Sequence, residues 1–236
     1  MSADRRGVAR PDLAAARLYT AVVSDILDGL GYRDHTLDPA IRPLSGAADV
    51  VVAGWANPFL LAEAGEIPAE PYTGEIAALD DVAPGEVVLV AAGGSARAAC
   101  WGELFSTAAR ARGARGTVID GYCRDHRRIV GMGYPVWCRG GLPLDCKGRM
   151  AVTAWRQPAV VGGLLVQPGD LVVADVDGVV AVPAGLAPEV VQRAAQKAEK
   201  ENGLRDALAR GARCATHMTT SASCERDGHR HLAPAR

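Results

Sequence analysis

Residues 86–125 read EVVLVAAGGSARAACWGELFSTAARARGARGTVIDGYCRD, and this stretch decides the fold. The β-branched run at residues 86–92 predicts a strand, which a pair of glycines ends. A helical pattern follows, and Gly113 stands where a helix C-terminal glycine is expected. Residues 116–120 (GTVID) predict the next strand. Because a crossover helix joins the two strands, we expect them to be parallel.

Three charged residues lie at the start of the predicted helix and just after the second strand, two places that we expect to be close in space. Glu103 lies near the start of the predicted helix, and Arg124 and Asp125 follow the second strand. The helix start and the strand end lie at the same edge of a parallel sheet, which is where open α/β sheets usually hold ligands. We therefore predict that these three residues are neighbours.

The composition of the 236-residue chain is that of a globular protein. Hydrophobic residues make up 49% and charged residues 22%, and the net charge is −1. This balance gives no global attraction to nucleic acid or to a membrane surface, so we expect neither partner. Residues 1–12 contain no apolar segment typical of a secretory signal, and no run approaches a membrane span of about 20 residues. Six cysteines without a signal indicate reduced thiols, and we expect a cytoplasmic protein.

The pattern along the chain predicts one α/β domain with two appendages. Residues 1–12 form an N-terminal extension, residues 13–211 the domain, and residues 212–236 a polar, mobile tail. The cysteines and histidines of the tail are irregularly spaced and lack apolar neighbours, so we interpret them as a tail rather than a zinc finger. Besides the central unit, helices are predicted at residues 11–30, 73–79 and 188–210, and strands at residues 50–55, 135–138, 150–155, 159–166, 171–174 and 179–182.

The charged residues have structural as well as chemical interpretations. Taken alone, Glu103 could interact favourably with the helix dipole, Asp125 could cap a loop, and Arg124 could pair with either acid. Together they indicate more. Free amides at Leu104 and Phe105 would form an anion site at the helix start, which an arginine complements. Two carboxylates at an anion site repel the ligand unless a cation lies between them, and oxygen ligands favour Mg²⁺ or Mn²⁺.

Other kinds of site are less well supported. The Gly-rich turn lacks the dinucleotide pattern and the phosphate-loop lysine, and no nucleophile elbow is present. None of the three lysines, in a polar loop or on a charged helix, suits a Schiff base. We interpret Cys100 and Cys123 as small buried residues, although they flank the predicted site. His126 is either a base or a surface residue.

With these motifs in view, the chain resembles the family of class II 4-hydroxy-4-methyl-2-oxoglutarate aldolases and RraA regulators of ribonuclease activity. The aldolase signature in that family is an acidic residue, twenty residues and then Arg-Asp. Here it is matched by Glu103, the twenty residues 104–123, and Arg124 with Asp125.

The resemblance covers residues 13–211. Besides the signature, the motifs VVSDILDGLGY, PGEVVLV, VIDGYCRD and QPGDLVVADVDGVVAVP occur in the expected order. It implies an α/β fold, an αββα sandwich with a swivelling β/β/α-like core. It also implies assembly as a homotrimer or a homohexamer (a dimer of trimers), with active sites between subunits.

The resemblance also implies roles for individual residues. Asp125 would contact Mg²⁺ or Mn²⁺, and Glu103 would hold a metal-bound water. Glu201 of the neighbouring subunit would complete the site, with Glu199 as the less favoured match. Arg124 would contact the substrate.

The expected reaction is retro-aldol cleavage of a 4-hydroxy-2-oxo acid to pyruvate, with oxaloacetate decarboxylation as a side activity. The backbone of Gly102, Leu104 and Phe105 would bind the substrate. Two departures from the family pattern weaken the expectation that this chain has the same substrate as the aldolases. Arg128 stands where members often carry an acid, and Glu103 stands where the aldolases more often have aspartate.

Two further interpretations stay open, and one is excluded. A non-catalytic RraA-like regulator that binds a ribonuclease or another protein has no need of the metal-ready signature. A phosphohistidine carrier needs a histidine on a Gly-rich loop, which His126 matches poorly. A methyltransferase would need a cofactor-binding glycine motif, which is missing from the sequence.

Overall fold

The computed structural model describes residue 13, residues 18–44 and residues 50–211. The predicted N-terminal extension and the Cys/His-bearing tail lie outside the described residues. Contacts divide the chain into two units, residues 1–194 and residues 195–236. In the second unit, the described part is the end of one helix and the turn after it. No helix in the described ranges combines the length and the apolar character that crossing a membrane requires.

Five helices and thirteen strands make up the described chain. The helices are α1 Thr20–Gly29, α2 Thr73–Asp80, α3 Glu103–Ala111, α4 His126–Met132 and α5 Ala187–Ala209. The strands are β1 Arg42–Pro43, β2 Val52–Glu63, β3 Glu86–Ala91, β4 Ala99–Trp101, β5 Gly116–Ile119, β6 Tyr122–Cys123, β7 Val136–Cys138, β8 Gly140–Gly141, β9 Met150–Trp155, β10 Ala159–Val161, β11 Leu164–Val166, β12 Leu171–Ala174 and β13 Val179–Val182.

The largest sheet has the order β1-β7-β5-β3-β2-β12-β13, with β9 also paired to β2. The neighbours β2, β3, β5 and β7 are parallel, whereas β1, β9, β12 and β13 join antiparallel. The predicted parallel pairing of β3 with β5 across α3 is confirmed, in a register that places Val87 opposite Gly116. Both strands are almost entirely buried, which explains their continuous β-branched sequence.

A second, three-stranded sheet follows directly from the first. The parallel strands β3, β5 and β7 each lead along the chain into a short strand, β4, β6 and β8 respectively, and these three pair in the order β4-β6-β8. The pairs β4–β6 and β6–β8 are again parallel. Consequently the chain segments that leave β4 and β6 start side by side.

The core lies on both faces of the large sheet. On one face, one cluster of buried residues includes side chains from α2, α3, α4 and the short strands, and another joins α1 and the start of α5 to β12 and β13. The alternate residues of the same strands face a third cluster, which includes side chains of the β10–β11 hairpin. Helices therefore cover one face and the hairpin packs on the other, and the fold is of the expected mixed α/β class.

Two predicted elements differ in the structure. The first helix begins at Thr20 rather than at residue 11, since Leu18 and Tyr19 are not helical. The carboxylate of Asp175 accepts hydrogen bonds from the Thr20 amide at 2.7 Å and from its hydroxyl at 2.6 Å, and so caps the helix there. Residues 159–166 form a hairpin rather than one strand. Gly162 and Gly163 both have positive φ, as a two-residue hairpin turn requires.

The strand predicted at residues 50–55 is longer than expected, because β2 continues through Pro58 to Glu63. On one side, β12 pairs with β2 as far as Trp55, and β9 begins its pairing at Phe59. Pro58 therefore lies between two partner strands, where its missing amide donor interrupts neither ladder. This position explains why a proline is tolerated in a central strand.

Candidate active site

The three-stranded sheet β4-β6-β8 determines which of the predicted site residues lie next to each other. Because β4 and β6 are parallel, with Trp101 opposite Cys123, the next residues on each strand emerge together. From β4 the chain passes through Gly102 into α3, and from β6 it passes through Arg124 and Asp125 into α4. The Arg124 amide donates a 3.0 Å hydrogen bond to the Trp101 carbonyl and ties the two segments.

The predicted neighbours are in contact. The Glu103 amide donates to Oδ2 of Asp125 at 3.2 Å, and Nε of Arg124 lies 3.8 Å from the same oxygen. Gly102 makes this approach possible, because a Cβ there would lie 2.9 Å from that oxygen. The structure thus brings together Gly102, Glu103, Arg124 and Asp125 at one sheet edge.

Asp125 has an unusual backbone. Its φ of 60° and ψ of 28° place it in the left-handed region, immediately before α4. Non-glycine residues adopt this conformation rarely, and such residues concentrate at functional sites. The Asp125 carbonyl accepts hydrogen bonds from the amides of Arg128 and Ile129. These hydrogen bonds restrain the backbone of Asp125. Its side chain is 41% exposed, so the carboxylate is open to solvent.

The first turn of α3 offers hydrogen-bond donors next to this carboxylate. The amides of Leu104 and Phe105 have no acceptor among the described residues, and the first intrahelical bond runs from Ser106 to Gly102. The Glu103 carboxylate accepts a hydrogen bond from the Thr107 hydroxyl at 3.0 Å, one turn along the helix. The unpaired amides of this first turn and the positive end of the helix dipole suit a small anion.

Two site residues, Tyr72 and Asp145, were missed by the sequence reasoning. Nη1 of Arg124 lies 3.5 Å from Oδ1 of Asp145, and the Tyr72 hydroxyl donates to Oδ2 of Asp145 at 2.5 Å. Tyr72 precedes α2 and Asp145 lies in the loop between β8 and β9, both outside the central unit. Neither stands in a recognisable motif, so no sequence signal marked them.

The hydrogen bond between Tyr72 and Asp145 shifts the pKa of both side chains. The hydrogen bond to Asp145, together with burial, raises the pKa of Tyr72 to about 12. For Asp145, burial opposes ionisation, but the Tyr72 hydroxyl and the Arg124 charge outweigh it and lower the pKa. At neutral pH Arg124 therefore faces an ionised Asp145, and Tyr72 remains a donor.

The cysteines and His126 have structural surroundings. Cys100 and Cys123 are buried and free, and burial raises the pKa of both thiols, that of Cys100 to about 12. Nε2 of His126 lies 3.1 Å from the Cys123 carbonyl, which only accepts, so Nε2 is the donor of this hydrogen bond. These contacts favour the predicted buried role for the two cysteines and a structural role for His126.

The predicted ligand Glu201 belongs to a different unit of the chain from Glu103 and Asp125. Among the residues that the structure describes, no three His, Cys, Asp or Glu side chains cluster as a metal site would. Glu201 lies on α5 in the second unit, and the side chain of Glu199 is outside the described residues. The supply of an acid by a neighbouring subunit stays a prediction.

Comparison with known proteins identifies one family over most of the chain. A family model described as RraA-like, Aldolase/RraA, matches residues 20–181. The chain belongs to the RraA-like family. The matched region contains Tyr72, Arg124, Asp125 and Asp145, whereas Glu201 lies beyond it.

Relatives of this chain include proteins named as enzymes and proteins named as inhibitors. A protein of Halalkalibacterium halodurans, provisionally named 4-hydroxy-4-methyl-2-oxoglutarate aldolase, is 31% identical over 178 residues, which cover 75% of this chain and 79% of that protein. Protein DlpA of Legionella pneumophila is 27% identical over 192 residues, 81% of this chain but only 30% of DlpA. The crystal structure of Streptomyces coelicolor RraAS2, described as an unusual member of the RNase ES inhibitor RraA family, is 33% identical, with a TM-score of 0.73 over 83% of this chain and 98% of RraAS2.

Proposed function

We propose that this RraA-like protein is a divalent-metal-dependent class II pyruvate aldolase, a carbon–carbon lyase. Its substrate would be a 4-hydroxy-2-oxo acid similar to 4-hydroxy-4-methyl-2-oxoglutarate, and oxaloacetate decarboxylation would be a side activity. One observation carries the proposal: Arg124, Asp125 and the first-turn amides of α3 converge at one sheet edge. The aldolase name of the Halalkalibacterium relative supports the same reaction class.

The donor set fits Mg²⁺ or Mn²⁺ with few protein ligands. Asp125 would hold the ion directly, Glu103 through a water, and Glu201 would come from a neighbouring subunit of a homotrimer or homohexamer. The exposed Asp125 carboxylate suits an ion that leaves most positions to substrate and water. When bound, the ion would polarise the 2-oxo group and neutralise negative charge on it.

The residues of the chain supply binding, orientation and proton transfer. The amides of Leu104 and Phe105 would bind the substrate carboxylate, and Gly102 keeps the backbone close to the site. Arg124 would stabilise negative charge as it develops on the 2-oxo oxygen. Glu103, through a water, would accept the proton of the C4 hydroxyl. The C3–C4 bond then breaks, C4 becomes a carbonyl carbon, and protonation at C3 gives pyruvate.

The direct test is pyruvate release, coupled to lactate dehydrogenase, from 4-hydroxy-4-methyl-2-oxoglutarate and from oxaloacetate. We expect release with Mg²⁺ or Mn²⁺ and its loss in EDTA, with the coupling enzyme checked separately in EDTA. R124A should lower turnover about 100-fold or more, since charge stabilisation of this kind contributes that much. D80N, which removes an exposed carboxylate paired with Arg112, is the matched control and should retain turnover. Full turnover by folded R124A would contradict the assignment.

A second candidate is a non-catalytic regulator that binds a ribonuclease or another protein. The similarity to RraAS2, from a family described as RNase ES inhibitors, favours it. The test is cleavage of an RNA substrate by RNase ES with and without this protein. Inhibition that persists in R124A, without pyruvate release by the wild type, would support the regulator. The cytoplasmic location and the absence of nucleic-acid and membrane partners stay predictions.

A further inference from the structure

Arg124 is held by two carboxylates from different parts of the chain. On one side Nε approaches Oδ2 of Asp125 at 3.8 Å, and on the other Nη1 approaches Oδ1 of Asp145 at 3.5 Å. An arginine side chain has many rotamers, and a contact at only one end would leave the guanidinium plane free to turn. With a carboxylate at each end, both the position and the plane of the group are restricted.

Asp145 is itself held in place. Its second oxygen, Oδ2, accepts the 2.5 Å hydrogen bond from the Tyr72 hydroxyl, so the oxygen facing Arg124 is Oδ1. Its carbonyl accepts a 2.9 Å hydrogen bond from Nη1 of Arg149, and the preceding residue Leu144 is bonded to the Ala99 amide. The carboxylate is therefore presented to Arg124 in one orientation.

The backbone and the packing of Tyr72 both restrict its position. Its φ is positive, at 66°, directly before α2, and the partly buried side chain packs against a cluster of buried residues. A tyrosine in this strained conformation, with its hydroxyl on an ionised acid, is consistent with a functional role. The chain Tyr72–Asp145–Arg124 connects three segments that are distant in sequence.

We infer that Tyr72 and Asp145 are positioning residues that hold the Arg124 guanidinium in the orientation in which it meets the substrate. The inference rests on the proposed function for the nature of that substrate, a 2-oxo acid whose negative charge Arg124 receives. Neither residue touches the reacting atoms in this assignment. Both act through Arg124.

A double-mutant cycle tests this dependence. Oxalate, a planar dianion that resembles the enolate of pyruvate, serves as the ligand, and its affinity in the presence of Mg²⁺ is measured by titration calorimetry. We expect D145N to weaken oxalate binding about 10-fold and Y72F about 3-fold, as for neighbouring residues that are coupled. In an R124A background both losses should disappear. D80N, and Y32F at an exposed tyrosine, are the matched controls and should bind as the wild type does.

A second measurement needs no ligand. The Nε–Hε signal of Arg124 in a ¹⁵N spectrum, assigned by its loss in R124K, should shift in D145N and Y72F but not in D80N. The inference would be overturned if D145N and Y72F weakened oxalate binding as much in the R124A background as in the wild type. An Arg124 signal that is unchanged in both variants would also overturn it. If the wild type releases no pyruvate while the signal shifts and the cycle couples, the proposed function fails and the inference stands. If oxalate does not bind, the arginine signal alone decides.

Discussion

At the scale of single residues, Gly102 is required by its neighbours rather than by its own backbone. Its φ of −161° is extended, so any residue could adopt it. A Cβ, however, would lie 2.9 Å from Oδ2 of Asp125 and 3.2 Å from Cγ of Arg124. The sequence showed a glycine at the start of a helix, and only the packing of a distant segment explains it.

We therefore expect G102A to lower pyruvate release about 10- to 100-fold, because the methyl group would displace Arg124 or Asp125 by a fraction of an ångström or more. The measurement is kcat and KM with oxaloacetate, together with the midpoint of urea unfolding. G29A is the matched control, since a Cβ at Gly29 has nothing within 4 Å. Wild-type kinetics in G102A would show that the site tolerates the shift and that the close approach has no catalytic consequence.

At the scale of elements, long periodic segments were predictable and short ones were not. The unit β3–α3–β5 carries enough pattern to predict its parallel pairing and hence the meeting of Glu103 with Arg124 and Asp125. Strands β4, β6 and β8 are two or three residues long, too short for a period, yet they align the two site segments. Tyr72 and Asp145 could not be predicted, because their contact depends on how separate loops fold together.

Helix α4 was not predicted from the sequence either. Substitutions on this helix can show whether it supports the site. Its seven residues begin directly after Asp125, and Ile129 is its fully buried side chain, with an exposure of 0%. We expect I129A to lower the free energy of unfolding by about 2–4 kcal/mol, through lost burial and a cavity. V130A on the exposed side of the same helix should change it by less than about 0.5 kcal/mol. Urea unfolding at 25 °C compares them, and equal effects would mean that α4 does not anchor the site to the core.

At the scale of the whole molecule, one ionic network joins the parts of the large sheet. The guanidinium of Arg156, at the end of β9, pairs with Asp81 after α2 and with Glu86 at the start of β3. Glu86 is buried and also accepts a hydrogen bond from Asn57 of β2. An acid that loses the cation with which it pairs in such surroundings leaves a buried charge with little compensation.

We expect R156A to lower the free energy of unfolding by about 3 kcal/mol or more for this reason. R33A is the control, because Arg33 pairs with Asp28 at an exposed surface, and such pairs contribute about 1 kcal/mol or less. Denaturant unfolding of both variants gives the comparison. A loss in R156A no larger than in R33A would mean that Glu86 is well solvated or repaired by Asn57.

In the proposed assembly, each site takes Arg124 from one subunit and Glu201 from its neighbour. R124A and E201A should each be nearly inactive alone. Mixed oligomers, formed by co-expression with two different tags and purified on both, should recover activity, because some interfaces pair an intact Arg124 with an intact Glu201. In a cyclic trimer that contains both variants, one interface of the three pairs the two intact residues, so about a third of the sites would be intact. Co-expression of R124A with R124K is the control and should recover nothing. If E201A alone keeps full activity, Glu201 is not part of the site. If both variants are inactive and mixing restores nothing, the two residues act within one subunit.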